Sequence, residues 1–260
     1  MERIGFRTCG FSQWKLTDAL AALRRVGYSG VELCFEAHDL FAGTRPNAAA
    51  LREAAASAKD YGLEFASFSY HGDGERPERR LRRTEAAIEA AGEYGAVVLV
   101  INAPRIVPGR KERQFAELVR RLKGLCRRAE RCGVLLALEP EPFLVIEGGE
   151  DMLRAIADVG SRTLKVNLDV GHAYIVDQDV PAYIRLLKRR IVHTHFEDIA
   201  GKVHRHLVPG EGDMPLKAII AALRGARYNG YFTVDLFNIQ DAPEEFAQRA
   251  LAGLRAALGA

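Results

Sequence analysis

Residues 96–138 read AVVLVINAPRIVPGRKERQFAELVRRLKGLCRRAERCGVLLAL. Two unbroken apolar runs, VVLVI at 97–101 and VLLAL at 134–138, bracket a charged, amphipathic stretch at 111–132 that Gly133 stops. Runs with no polar alternation suit strands buried on both faces, as parallel strands are. The segment therefore reads as strand, helix, strand. The same alternation extends in both directions. Strands are expected at 3–9, 30–33, 64–70, 96–101, 134–138, 164–168, 191–196 and 231–236. Helices are expected at 16–26, 46–61, 77–94, 111–132, 150–159, 180–188, 215–226 and 243–258. Eight pairs in 260 residues give about 32 residues per unit, and a strand–helix–strand repeat needs about 30. No linker or compositional break separates the units. The expected fold is α/β, a single closed (β/α)8 TIM barrel over residues 1–260. A doubly wound open sheet would usually carry a glycine fingerprint after its first strand. The turn Cys9-Gly10-Phe11-Ser12 lacks it.

Composition narrows the function. Hydrophobic residues make up 48% and charged residues 27%, which excludes collagen-like, low-complexity and wholly disordered classes. With 37 basic and 34 acidic residues the net charge is +3, too small an excess to argue for nucleic acid or a membrane surface as partner. No apolar run approaches the roughly 18 residues of a membrane span. The stretch from Met1 to Ser12 reads as a strand rather than a signal core. Cytoplasmic localisation is expected. Cys9, Cys34, Cys126 and Cys132 form no CxxC pair and read as reduced thiols. The arginine-rich runs at 76–83 and 120–131 fall on predicted helices and read as solvated outer faces.

A barrel carries its chemistry at the C-terminal ends of its strands. Glu139 ends the fifth run and Asp169 the sixth. The seventh contains His193 and His195, followed by Glu197 and Asp198. The eighth carries Asp235, the third ends at His71, the fourth at Asn102, and the second holds Glu32. Charge in a dry interior is costly unless it is paired or bound to metal. Arg7 and Arg105 are the only obvious basic partners, too few to neutralise four carboxylates. A divalent cation is expected instead.

The segments LEPEP (138–142), NLDVGHA (167–173), HTHFED (193–198), PGEGDMP (209–215) and GYFTVDLF (230–237) occur in the order seen in xylose isomerase-like TIM barrels. The chain resembles that superfamily over essentially its whole length. The superfamily includes sugar isomerases and epimerases, inosose and dehydroshikimate dehydratases, and endonuclease IV. The resemblance implies a metal held by Glu139, Asp169, His195 and Asp235. Three carboxylates and one imidazole suit Mn²⁺, Co²⁺ or Mg²⁺, with Zn²⁺ also open. The family usually has Glu where this chain has Asp235, one methylene shorter. In its epimerases the first and last ligands move the proton, which makes Glu139 and Asp235 the catalytic pair. The cation acts as Lewis acid on a carbonyl and its neighbouring hydroxyl.

The resemblance also implies that His172 contacts substrate hydroxyls. His71, Arg205 and Trp14 are further candidate substrate contacts. Trp14 could form an aromatic wall with Phe11, Phe35 and Tyr70. The nuclease branch holds an additional zinc with an Asp-x-His pair and the histidine equivalent to His172. Here the pair reads His204-Arg205-His206, so His172, His204 and His206 are candidates for a second metal. Glu197 alternates in phase with His195 and is expected to orient it, and Asp198 to orient the following loop. The expected function is a metal-dependent isomerase or epimerase of a small ketose or keto-polyol. A dehydratase of a cyclic keto-polyol comes next. An endonuclease IV-like metallohydrolase follows, with the modest charge and Asn102 against it. A non-catalytic ligand-binding barrel is the last alternative, and Asp235 keeps it open. The expected partner is a polyol or sugar, with homo-oligomerisation open.

Overall fold

The computed structural model describes residues 3–176 and 179–259; Met1, Glu2, Asp177, Gln178 and Ala260 lie outside them. Eight parallel strands close into a barrel: β1 (Ile4–Arg7), β2 (Gly30–Cys34), β3 (Glu64–Ser69), β4 (Val98–Asn102), β5 (Leu135–Glu139), β6 (Leu164–Asp169), β7 (Ile191–Phe196) and β8 (Phe232–Val234). Each pairs with its neighbour in chain order, and β8 closes on β1 with Ile4 opposite Phe232. All five residues of β4 are buried, as the apolar run predicts.

An outer ring covers the barrel: α1 (Leu16–Val26), α2 (Ala48–Tyr61), α3 (Pro77–Glu93), α4 (Lys111–Cys132), α5 (Gly149–Val159), α6 (Val170–Val176), α7 (Val180–Leu187), α8 (Leu216–Gly225) and α9 (Pro243–Leu258). In α4 the buried residues are Phe115, Leu118, Val119, Leu122, Leu125, Cys126 and Ala129, the 3.6-residue period of one face on a sheet. Its arginines face outward. Arg121 pairs with Glu117, and Arg128 with Glu85 and Glu89 of α3.

Three local expectations change. The eighth strand is shorter than 231–236, so Asp235 lies just past its end. The Asp235 N–H still bonds the Phe196 carbonyl at 3.1 Å, which fixes its approach to β7. The chain enters α6 directly after β6, where only a loop was expected, because Val170-Gly171 are poor helix formers. A hairpin of Phe41–Ala42 with Arg45–Pro46 follows β2. Among the described residues no helix is long and apolar enough to cross a membrane.

Candidate active site

Four of the expected residues meet inside the C-terminal end of the barrel. The buried His195 turns Nδ1 toward three carboxylates: Glu139 Oε2 at 3.5 Å, Asp235 Oδ2 at 3.7 Å and Asp169 Oδ2 at 3.9 Å. These separations exceed direct hydrogen bonds, yet they gather three acids around one ring nitrogen. Asn167 Nδ2 lies 3.1 Å from both Glu139 Oε2 and His195 Nδ1.

The other face of the imidazole is fixed by Glu32. His195 Nε2 lies 3.1 and 3.0 Å from its two oxygens. Glu32 also meets Arg7 Nε at 3.0 Å, His193 Nε2 at 2.9 Å and the Ser67 hydroxyl at 2.5 Å. Burial alone would raise the Glu32 carboxyl. His195 and His193 reverse this and hold it well below the usual range. Glu32 therefore does the orienting expected of Glu197. Beyond Phe196 the chain leaves strand geometry, so alternation no longer aims Glu197 at His195. Its Oε1 instead accepts the Gly171 N–H at 2.6 Å, at the start of α6. Burial, with Asp169 nearby, pushes the Glu197 carboxyl well above the usual range.

Arg7 is the basic partner the sequence offered. Its Nη1 lies 3.2 Å from Asp235 Oδ2, and the Cys9 thiol lies 3.4 Å from Asp235 Oδ1. Arg105 is exposed and takes no part. Glu139 and Asp169 are left facing imidazoles, Asn167 and backbone N–H groups. Glu139 meets His71 Nε2 and His172 Nδ1, each at 3.3 Å. Burial would raise its carboxyl, but His195, His172 and His71 hold it well below the usual range. Asp169 Oδ2 and His172 Nδ1 are buried with ion-pair contacts of 3.3 Å or more but no well-formed hydrogen bond. Orphaned donor atoms in an acid-rich, buried cluster fit a divalent cation, and Glu139, Asp169 and His195 each offer one ligand atom within 4.8 Å of the others.

The loop after β7 folds over this cluster. Asp198 organises it, accepting N–H bonds from Gly210 at 2.8 Å and Met214 at 3.1 Å. His204 Nε2 then lies 2.9 Å from His172 Nε2, and the His206 ring centroid lies 5.6 Å from that of His172. His206 is fixed by Nδ1, 2.8 Å from the Asp235 carbonyl, which leaves its buried Nε2 without a partner. Burial opposes charge on His172, but Asp169 and Glu139 push it up to about 9. Burial and His172 together bring His204 down to about 4. In this contact the proton therefore favours His172 over His204. Arg205 stays on the exposed side of the loop.

The aromatic wall is not formed as expected. Phe11, Phe35 and Tyr70 are fully buried and pack in the core. Only Trp14 remains partly exposed, edge-on to Phe11 at 5.4 Å between centroids. The opposite rim is polar. Asn102 Nδ2 lies 3.1 Å from Glu141 Oε2 and 3.3 Å from Asp73 Oδ1, and Arg80 Nη2 bonds the Asn102 carbonyl at 2.8 Å. Glu141, the second acid of LEPEP, lies past the strand end, where the apolar run gives no signal for it. Burial and the nearby Glu139 raise its carboxyl despite His172.

With eight parallel strands and an acid–imidazole cluster at their C-terminal ends, the molecule is a barrel of the xylose isomerase type. Residues 20–257 match the family described as xylose isomerase-like TIM barrel, and the chain belongs to it. Fructoselysine 3-epimerase of Shigella flexneri is 29% identical over 285 aligned positions, covering 98% of each chain. Inosose dehydratase of Salmonella typhimurium is 24% identical over 163 positions, 55% of this chain and 54% of the enzyme. The crystal structure of apo 3-keto-D-glucoside 4-epimerase YcjR from E. coli superposes with a TM-score of 0.82 at 22% identity, over 98% of this chain and 100% of that one.

Proposed function

We propose that this protein is a divalent-cation-dependent epimerase of a small ketose or keto-polyol, with Glu139, Asp169, His195 and Asp235 holding the cation. The observation that carries this reading is the gathering of three carboxylates around His195 Nδ1 within 3.9 Å. The full-length similarity to a sugar 3-epimerase supports it. When bound, the cation supplies a Lewis acid to the carbonyl and neighbouring hydroxyl of the substrate. The chain's own residues do the rest. Glu139 and Asp235 stand on opposite flanks of Asp169 in strand order. One takes the proton from the carbon beside the carbonyl, and the electron pair left behind shifts toward the carbonyl oxygen. The other relays a proton from solvent to the opposite face of that carbon, the abstracted proton leaves to solvent in exchange, and the configuration inverts. His71 and His172 border the same space and offer ring N–H groups to substrate hydroxyls.

Arg7 holds Asp235 in place and, against burial, keeps its carboxyl below the usual range, so Asp235 is ionised before substrate arrives. A dehydratase would share the same proton abstraction and then expel a β-hydroxyl, a reading favoured by the likeness to inosose dehydratase. The deciding experiment follows solvent deuterium into ketoses and inososes incubated with Mn²⁺-loaded protein. Epimerisation with label at one carbon, without loss of water, is the expected result, and loss of water would transfer the assignment to the dehydratase. Glu139→Gln should greatly weaken Mn²⁺ binding and abolish exchange while the circular dichroism stays native. Stoichiometric metal and full exchange in that variant would dismiss the site.

A further inference from the structure

A wide, open cavity lies at the other end of the barrel. It encloses about 760 Å³, and six of its nine lining residues are cationic: Lys165, Arg185, Lys188, Arg189, Arg190 and Arg227. Lys165 is the second residue of β6, four positions before Asp169, or about 13 Å from it along the strand. The chain between α7 and β7 supplies the Lys188–Arg190 run, and Arg227 lies between α8 and β8.

Two ordinary explanations fall short. Helix C-termini attract cations, and α7 and α8 both end here, but that effect is confined to the last turn and its cap, which covers Arg185, Lys188 and, just past the cap, Arg227, and leaves Lys165, Arg189 and Arg190. Unpaired arginines also occur singly on the outer helices, whereas others are paired, as Arg25 is with Glu244 and Arg249 with Glu211; elsewhere they are not gathered around one cavity. Here Arg185 alone has a carboxylate partner among the described residues, Asp179 at 3.5 Å. Five cations thus face one concavity with no counter-charge, an arrangement that repels itself. The backbone adds a second observation. Lys188 has φ 46° and ψ −124°, and Arg227 has φ 61°. Both values are relaxed for glycine and strained for a branched-chain or long side chain, and strain of this kind gathers at functional positions. Half-buried Ala222 and Ala226 form an apolar part of the lining beside the charges.

From this we infer that the N-terminal end of the barrel is a binding site for an organic diphosphate, of the chemical class of a nucleoside diphosphate. The guanidinium forks hold phosphate oxygens in pairs, and the alanine surface receives the organic body. The volume lies within the 300–1,000 Å³ range of small-molecule pockets.

The test is calorimetric titration of the full chain with ADP, pyrophosphate and AMP at matched ionic strength. ADP should bind saturably with one site per chain, more tightly than either pyrophosphate or AMP. The Arg189→Ala/Arg190→Ala variant should weaken ADP at least about tenfold, the loss of one charge-assisted contact or more. Glu139→Gln should bind ADP as the unaltered chain does, which separates this site from the catalytic reading. Arg227→Gly should raise the melting temperature while weakening ADP. The inference fails if ADP does not saturate or if pyrophosphate binds as tightly. It also fails if the double variant retains full affinity, or if a single-stranded oligonucleotide displaces ADP at equal phosphate concentration.

Discussion

Asp235 and Glu32 carry the most informative tests at the scale of single residues. Asp235→Asn keeps the shape and a weak ligand but removes the proposed proton-transfer group, so turnover should fall on the order of 10²–10⁴-fold. Deuterium exchange at the same carbon should fall with it, while part of the Mn²⁺ affinity survives. Asp235→Glu should retain metal. Wild-type exchange in the Asn variant would move the second proton transfer away from Asp235. Glu32 tests the pH dependence of folding. Its folded pKa is depressed, so its stabilisation is present above the unfolded value of about 4.3 and is lost as pH falls below it toward the folded value. Glu32→Gln should therefore unfold more easily at neutral pH and show a flatter stability profile below about pH 4.3. Denaturant titrations across that range measure it, and an unchanged profile would show that the Arg7, His193 and His195 contacts contribute nothing at acid pH. The importance of Glu32 was only partly visible in the sequence. Its strand position could be read, but its bond to His195 crosses the barrel between residues 163 positions apart. Glu197 misled for the opposite reason, because period-2 alternation stops where the strand stops.

Elements were more legible than partners. Unbroken apolar runs announced β4 and β5 because parallel strands bury both faces. The acids proposed to hold the cation show as the first acidic charge after each run. What stayed hidden was α6, whose Val-Gly start carries no helix signal and whose stability comes from Glu197 accepting the Gly171 N–H. The loop after β7 was equally opaque, since its shape depends on Asp198 and on α9. Gly253 of α9 packs on that loop so closely that a Cβ would collide with the backbone carbonyl of Pro209. Alanine is otherwise the better helix former. Gly253→Ala should nevertheless destabilise by about 1–3 kcal/mol and lower the melting temperature by roughly 2–4 °C for each kcal/mol. It should also disturb His206, three residues before Pro209. A higher melting temperature would mean that the loop is not pinned by α9.

For the molecule as a whole, the proposed cation site predicts a coupling between metal and stability. A ligand that binds only the folded chain adds about 2.7 kcal/mol at a hundredfold excess over Kd. Mn²⁺ should raise the melting temperature of the unaltered protein, a chelator should lower it, and Glu139→Gln should respond to neither. Elemental analysis of the His204→Ala/His206→Ala variant settles how many ions are involved. Unchanged stoichiometry fits the epimerase, whereas loss of one equivalent would indicate a second ion at His172, His204 and His206 and favour a hydrolase. The seam between β1 and β8 has a further bearing on biogenesis. Arg7 and Asp235 stand 228 positions apart, yet they meet across that seam. During translation Arg7 and its early partner Glu32 emerge long before Asp235, the second carboxylate that Arg7 meets. Throughout that interval the partly built chain holds Glu32, Glu139 and Asp169 with the ring unsealed. The ion pair across that seam can form only once residue 235 has been made, so a ribosome stalled before it would hold a chain whose ring is still open and dependent on chaperones.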